Sequence, residues 1–197
     1  MVKLSAPLNS KFAYSKARKV VNKVLPQNTN LRSHLVLLIT FVSVLVVMQF
    51  GWSNARGTAL ERMVVDEMTV KPSAWLIARI TPDIAVHAIG SHLSAPGGGI
   101  NILNGCDGMD VVLLLVAALL VAPIPVHCRL SGIFVGAGLI YLFNQARIIA
   151  LFYSYRTDKS MFNILHGMIA PILLILIAGL FFVIWIGLNN RDLKNQL

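Results

Sequence analysis

Residues 35–52 read LVLLITFVSVLVVMQFGW, eighteen consecutive residues without a charge. At 1.5 Å rise per residue such a run nearly crosses a hydrocarbon core as one helix, so it reads as a membrane span. Trp52 at its end suits an interfacial anchor. In front of it, residues 1–33 carry Lys3, Lys11, Lys16, Arg18, Lys19, Lys23 and Arg32 and no acidic residue. A basic flank beside a span marks the cytoplasmic side and an attraction for anionic lipid headgroups. The tail is too long for a cleavable signal peptide. Its position beside a span makes membrane lipid, rather than nucleic acid, its partner.

Composition agrees with the run. Of 197 residues, 56% are hydrophobic and 13% charged, about half the charge of an ordinary soluble domain. The expected class is an all-α integral membrane protein with about four transmembrane helices, in which residues 34–197 form a single membrane domain after the 1–33 cytoplasmic tail. Residues 53–108 balance Arg56, Arg62, Lys71 and Arg79 against Glu61, Asp66, Glu67, Asp83 and Asp107, and so lack a retention signal for the inside. They are expected on the outer side. There SAWLIARITP at 73–82 predicts a short interfacial helix stopped by Pro82. IAVHAIG and GINIL predict a β-hairpin split by the turn-rich SHLSAPGGG.

Three further spans are expected, over about 109–126, 131–153 and 165–188. Pro123 and Pro125 mark the inner end of the second, His127-Cys128-Arg129 makes a short inner loop, and 154–163 a polar outer loop. Both termini then lie inside. Cys106 and Cys128 flank the second span and are too far apart for a disulfide, and neither has the neighbours of a metal site. No cofactor is expected.

Alternating helix direction brings three chemically active groups to one side. Cys106 precedes the second span, where a helix N-terminus favours thiolate, and Gly105 and Gly108 permit a tight turn and close approach of a substrate. Arg147 lies in the third span. A guanidinium there costs about 2.5–3.5 kcal/mol on insertion scales, so it is expected to face the bundle and hold a thiolate, an oxyanion or a substrate carboxylate. Asn144 and Tyr141 share its face at helical spacing. His166 opens the fourth span, placed to accept the thiol proton and return it to a leaving group. Asp107 and Asp110 oppose thiolate formation, unless their role is to cap the second helix. Each residue also has a simpler reading. Cys106 and Cys128 could be packing, Arg147 could snorkel to headgroups, and His166, like His34, His87, His92 and His127, could be a solvated polar end.

NGCDG at 104–108, LFNQARIIALFY at 142–153 and ILHGMIAP at 164–171 resemble the exosortase/archaeosortase family. With APGGGINILNGC at 95–106 the likeness is greatest to the short exosortase M group, and it covers about residues 75–188. The resemblance implies Cys106 as nucleophile, His166 as general base and Arg147 as the third catalytic member, in a minimal core facing the periplasm from a bacterial inner membrane. It implies a thiol protease or transpeptidase that cuts C-terminal sorting signals (PEP-CTERM-like) from secreted proteins. The partners it implies are the signal helix, membrane lipid and an exopolysaccharide or lipid-linked acceptor. A histidine at 166 points to the bacterial branch. The competing classes are a non-enzymatic factor for polysaccharide export or a small transporter subunit, with Asn144, Arg147 and His166 lining a polar path, and an acyltransferase acting on lipid-modified proteins.

Overall fold

The computed structural model describes residues 31–102 and 105–195, with side chains over 32–102 and 105–189. Most of the expected basic tail, and Leu103 and Asn104 of the quoted motifs, lie outside the described residues. The chain divides into two units, Met1–Thr40 and Phe41–Leu197. Of the first, residues 31–40 are described, the opening turns of helix α1, Leu31–Asn54. Leu35, Val36, Leu38 and Ile39 are exposed there, an apolar surface suited to lipid.

The second unit begins with the rest of α1. Trp52 is buried. Thr58 caps α2, Ala59–Arg62, by accepting from the Leu60 amide at 3.3 Å, and Glu61 reaches back to the Gly57 amide at 2.6 Å. The helix widens to a π-turn over Met63–Val70 and continues as α3, Lys71–Ile80. It stops one residue before Thr81, which Pro82 holds in a non-helical conformation. The expected short helix over 73–82 is therefore the last part of a longer helical arm.

The expected hairpin is a three-stranded antiparallel sheet in the order β1 (His87–Ile89), β2 (His92–Ser94), β3 (Ile100–Asn101). Ala88 pairs with Leu93, and Leu93 with Ile100. The segment read as a turn contains β2, because Gly90-Ser91 alone makes the first reversal. Alternation buries Leu93 and Ile100 and leaves His87, Ile89, His92, Ser94 and Asn101 exposed.

Three helices follow: α4 (Met109–Val121), α5 (Val126–Thr157) and α7 (Ala170–Asn195), the last preceded by α6 (Lys159–Ile164) and a second π-turn, Leu165–Ile169. Among the described residues three helical stretches are long and apolar enough to cross a membrane: Arg32–Asn54, Val126–Thr157 and Lys159–Asn189. The expected span over 109–126 is a helix of only 13 residues, about 20 Å long. Pro123 and Pro125 deprive the next turn of donors, and the chain leaves the helix with Ala122 and Pro125 extended and the Ile124 amide turned back to the Ala122 carbonyl at 2.9 Å. The expected polar loop over 154–163 is helical except at Asp158, whose carboxylate caps α6 by accepting from the Ser160 amide at 2.7 Å.

α4, α5 and α7 pack on one another through Leu115, Leu119, Ile140, Leu174 and Ala178. Glycines let the backbones close in: a Cβ on Gly132 would stand 2.5 Å from Trp185 Nε1, and one on Gly136 2.7 Å from Phe181 Cε1. Trp185 also donates to the Cys128 carbonyl at 3.0 Å. The last third of α5 serves a second core, in which Ile148, Leu151 and Phe152 meet Val70, Ile77 and Leu93 of the helical arm and sheet. Gln145 ties the layers together. Its amide donates to the Thr69 carbonyl at 3.4 Å and its carbonyl accepts from the Ser73 hydroxyl at 2.5 Å.

Candidate active site

Cys106 belongs to the core of the helical arm and sheet and stands just before α4. Gly105 and Gly108 both hold positive φ, +85° and +81°, so the chain turns sharply on either side of the thiol before α4 begins. A side chain at 108 is excluded twice over, since its Cβ would also stand 3.0 Å from Asn144 Cγ. Asn144 sits against that turn and donates to the Cys106 carbonyl at 3.2 Å. Arg147, one turn further along α5, donates through Nη1 to the Gly105 carbonyl at 3.3 Å and through Nη2 to Cys106 Sγ at 3.7 Å. Both residues are buried.

His166 reaches the same sulfur from a third segment. Its Nδ1 is 3.6 Å and its Nε2 3.9 Å from Sγ. Phe162 stacks on the imidazole, with centroids 5.4 Å apart and planes 6° from parallel. His166 lies in the second π-turn, four residues after Phe162, and such a turn is a common device at functional sites.

Cys106, Arg147 and His166 therefore converge on one sulfur from three segments, with Asn144, Gly105 and Gly108 around them. Tyr141 does not reach the thiol. It lines an apolar cavity of about 360 Å³ beside Asp107, Gly108 and Asn144. Arg147 stands ten residues before the end of α5 at Thr157, about 15 Å. The extra turns of α5 are covered by the helical arm and sheet. Sequence reasoning passed over Gln145 and Phe162. The signal for Phe162 was its i−4 spacing from His166; Gln145 lay within the Asn-x-x-Arg stretch itself.

Burial pushes the Cys106 thiol above its ordinary value; Arg147 pulls it down and Asp107 pushes it up. The resting sulfur is thus a neutral thiol, and nucleophilicity requires proton transfer to a base in contact with it. Asp107 stands one residue before Gly108, the N-cap of α4, and its Oδ1 accepts from the Met109 amide at 3.2 Å; Asp110 lies in the first turn of the helix. Burial raises its own pKa, with Asp110 adding to the shift and the Met109 hydrogen bond and Arg56 opposing it. Among the described residues no group of His, Cys, Asp and Glu is arranged to hold a metal ion, and both cysteines are free.

Protein-family models, characterised proteins and solved structures were all compared with the chain, and none matches.

Proposed function

We propose that this protein is a membrane-embedded cysteine peptidase or transpeptidase, with Cys106 as nucleophile, His166 as general base and acid, and Arg147 as the cation that steadies thiolate and oxyanion. The observation that carries the reading is the sulfur held 3.6 Å from imidazole and 3.7 Å from guanidinium by three separate segments. Packing alone does not account for a buried guanidinium placed against a thiol, given the cost of a charge at membrane depth.

The chemistry follows from the contacts. His166 takes the thiol proton, Sγ attacks a carbonyl, and a thioester forms as the proton passes to the leaving amine. Arg147 lies where negative charge collects on sulfur before attack and near it afterwards. Water or a second nucleophile then releases the acyl group. Substrates in this reading are secreted proteins with a C-terminal sorting signal that includes an apolar helix, because a site between spanning helices is entered from the bilayer. The topology that serves it has four crossings, α4 with the Ala122–Pro125 segment that follows it being the second, both termini in the cytoplasm and Cys106 facing the periplasm of a bacterial inner membrane.

The test is a comparison of the C-termini of exported proteins from cells carrying wild-type protein and Cys106→Ala. A set of shortened C-termini that disappears in the variant, at equal protein level, is expected. An unchanged set would end the peptidase reading and leave the export-factor and transporter classes, in which the thiol is dispensable.

A further inference from the structure

The cavity beside the thiol has a polar end. It is enclosed by α4, α5 and the π-turn of the helical arm, through Val64, Met68, Val112, Ile140 and Tyr141 among others, and its about 360 Å³ suits an alkyl chain or a short run of apolar side chains. At the Cys106 end it is lined by Asp107 and Asn144. Each holds one buried oxygen without a hydrogen-bond partner, Asp107 Oδ2 and Asn144 Oδ1. The residues themselves are 8% and 1% exposed. Two buried acceptors without donors cost about 1–3 kcal/mol each; Asp107 belongs to the turn that carries the nucleophile, and Asn144 of α5 is hydrogen-bonded to it. Their other polar atoms are in use: Asp107 Oδ1 accepts from the Met109 amide and Asn144 Nδ2 holds the Cys106 carbonyl. The free oxygens therefore ask for a ligand that brings N–H donors and an apolar body.

Resting on the peptidase reading, we infer that this cavity is the site of the second substrate, a primary amine carried on an apolar chain, which resolves the Cys106 thioester in place of water. The ammonium enters paired with Asp107 and Asn144, and Asp107 takes one proton from it. The amine nitrogen attacks the thioester carbonyl, and His166 takes a second proton as the C–N bond forms. The C–S bond breaks, sulfur leaves toward Arg147, and His166 returns its proton to it. The products are an amide and the free thiol, with one proton released from Asp107 to solvent. A transferase needs separate places for acyl donor and acceptor. A second apolar groove, of about 200 Å³ between α5 and α7 and lined by Arg147, leaves room for the donor on the other face of α5.

The full-length protein in nonionic detergent is the material for the test. p-Nitrophenyl butyrate serves as a generic acyl donor, and Cys106→Ala supplies the background rate. A burst of p-nitrophenolate reports acylation, and turnover after the burst reports resolution. Decylamine is expected to raise turnover saturably, at least 10-fold, and to yield N-decylbutyramide. Decanol, which lacks the amine, and triglycine, which lacks the chain, are expected to do neither. Asp107→Asn should raise the half-saturating decylamine concentration at least 10-fold, and Asp107→Glu should restore part of the loss. A burst followed by turnover indifferent to decylamine overturns the inference and leaves the peptidase standing. If no burst forms, the peptidase reading fails, and the cavity is judged by binding alone. A saturable rise of Tm with decylamine that Asp107→Asn weakens supports an amine site there, and its absence overturns it.

Discussion

Replacing Arg147 by Gln keeps a polar side chain of similar reach and removes the charge beside the sulfur. At the 3.7 Å separation of Nη2 and Sγ, two unit charges in an effective dielectric of about 20 interact by about 4–5 kcal/mol, which is a ceiling. Opposite charges at such range shift a thiol by about 1–3 pKa units, or about 1.4–4 kcal/mol. Arg147 acts downward on a thiol that burial has already raised, so its loss moves the titration to higher pH. At any pH below the thiol's range the thiolate fraction falls about 10- to 1,000-fold. The assay is the second-order rate of iodoacetamide alkylation of Cys106 across pH 6.5 to 10.5, in a Cys128→Ser background, with the Tm measured alongside. An upward shift of about one unit or more in a folded variant is expected. A profile that does not move means the guanidinium does not feel the sulfur, and the assignment of Arg147 fails.

The opposite sign is expected at Asp107: its carboxylate raises the thiol, so Asp107→Asn should carry the same alkylation profile to lower pH. Gly108→Ala forces a side chain into a φ of +81° and 3.0 Å from Asn144 Cγ. It should cost about 1–2 kcal/mol in backbone strain alone, read as a lower Tm, and reduce the rate of Cys106 alkylation. Gly136→Ala should lose about 1–3 kcal/mol to overpacking against Leu115 and Phe181, more than the about 1 kcal/mol that helix propensity returns; Gly179→Ala, with nothing within 4 Å, should keep or raise Tm. Membrane-impermeant maleimide applied to intact cells should label Cys106 and spare Cys128, and the reverse would invert the proposed topology.

Long apolar periods made the helices legible, because a membrane span must satisfy its own backbone and so announces itself by length. Cys106, Asn144, Arg147 and His166 were legible for a related reason: thiol, guanidinium and imidazole are conspicuous where apolar residues are the rule. What the sequence obscured was decided by local competition. Pro123 ended α4 after Val121, where hydropathy ran on to 126. Asp158 bent the chain once, where a cluster of polar residues suggested a loop. β2 was hidden inside SHLSAPGGG because Gly99 must approach the Leu93 carbonyl closely, a demand of strand packing rather than of a turn. The two π-turns have no composition of their own, and the stacking of Phe162 on His166 shows in the sequence only as a four-residue spacing.

The account stands on Cys106, Arg147 and His166 sharing one small volume. Paired cysteine substitutions in a Cys128→Ser background measure that directly, using a short fluorogenic bis-thiol crosslinker on membranes. Cys106 with His166→Cys, and Cys106 with Arg147→Cys, should crosslink rapidly, while Cys106 with Trp185→Cys, beside residue 128, should not. Equal and slow crosslinking in all three pairs would show that the thiol, imidazole and guanidinium positions do not meet.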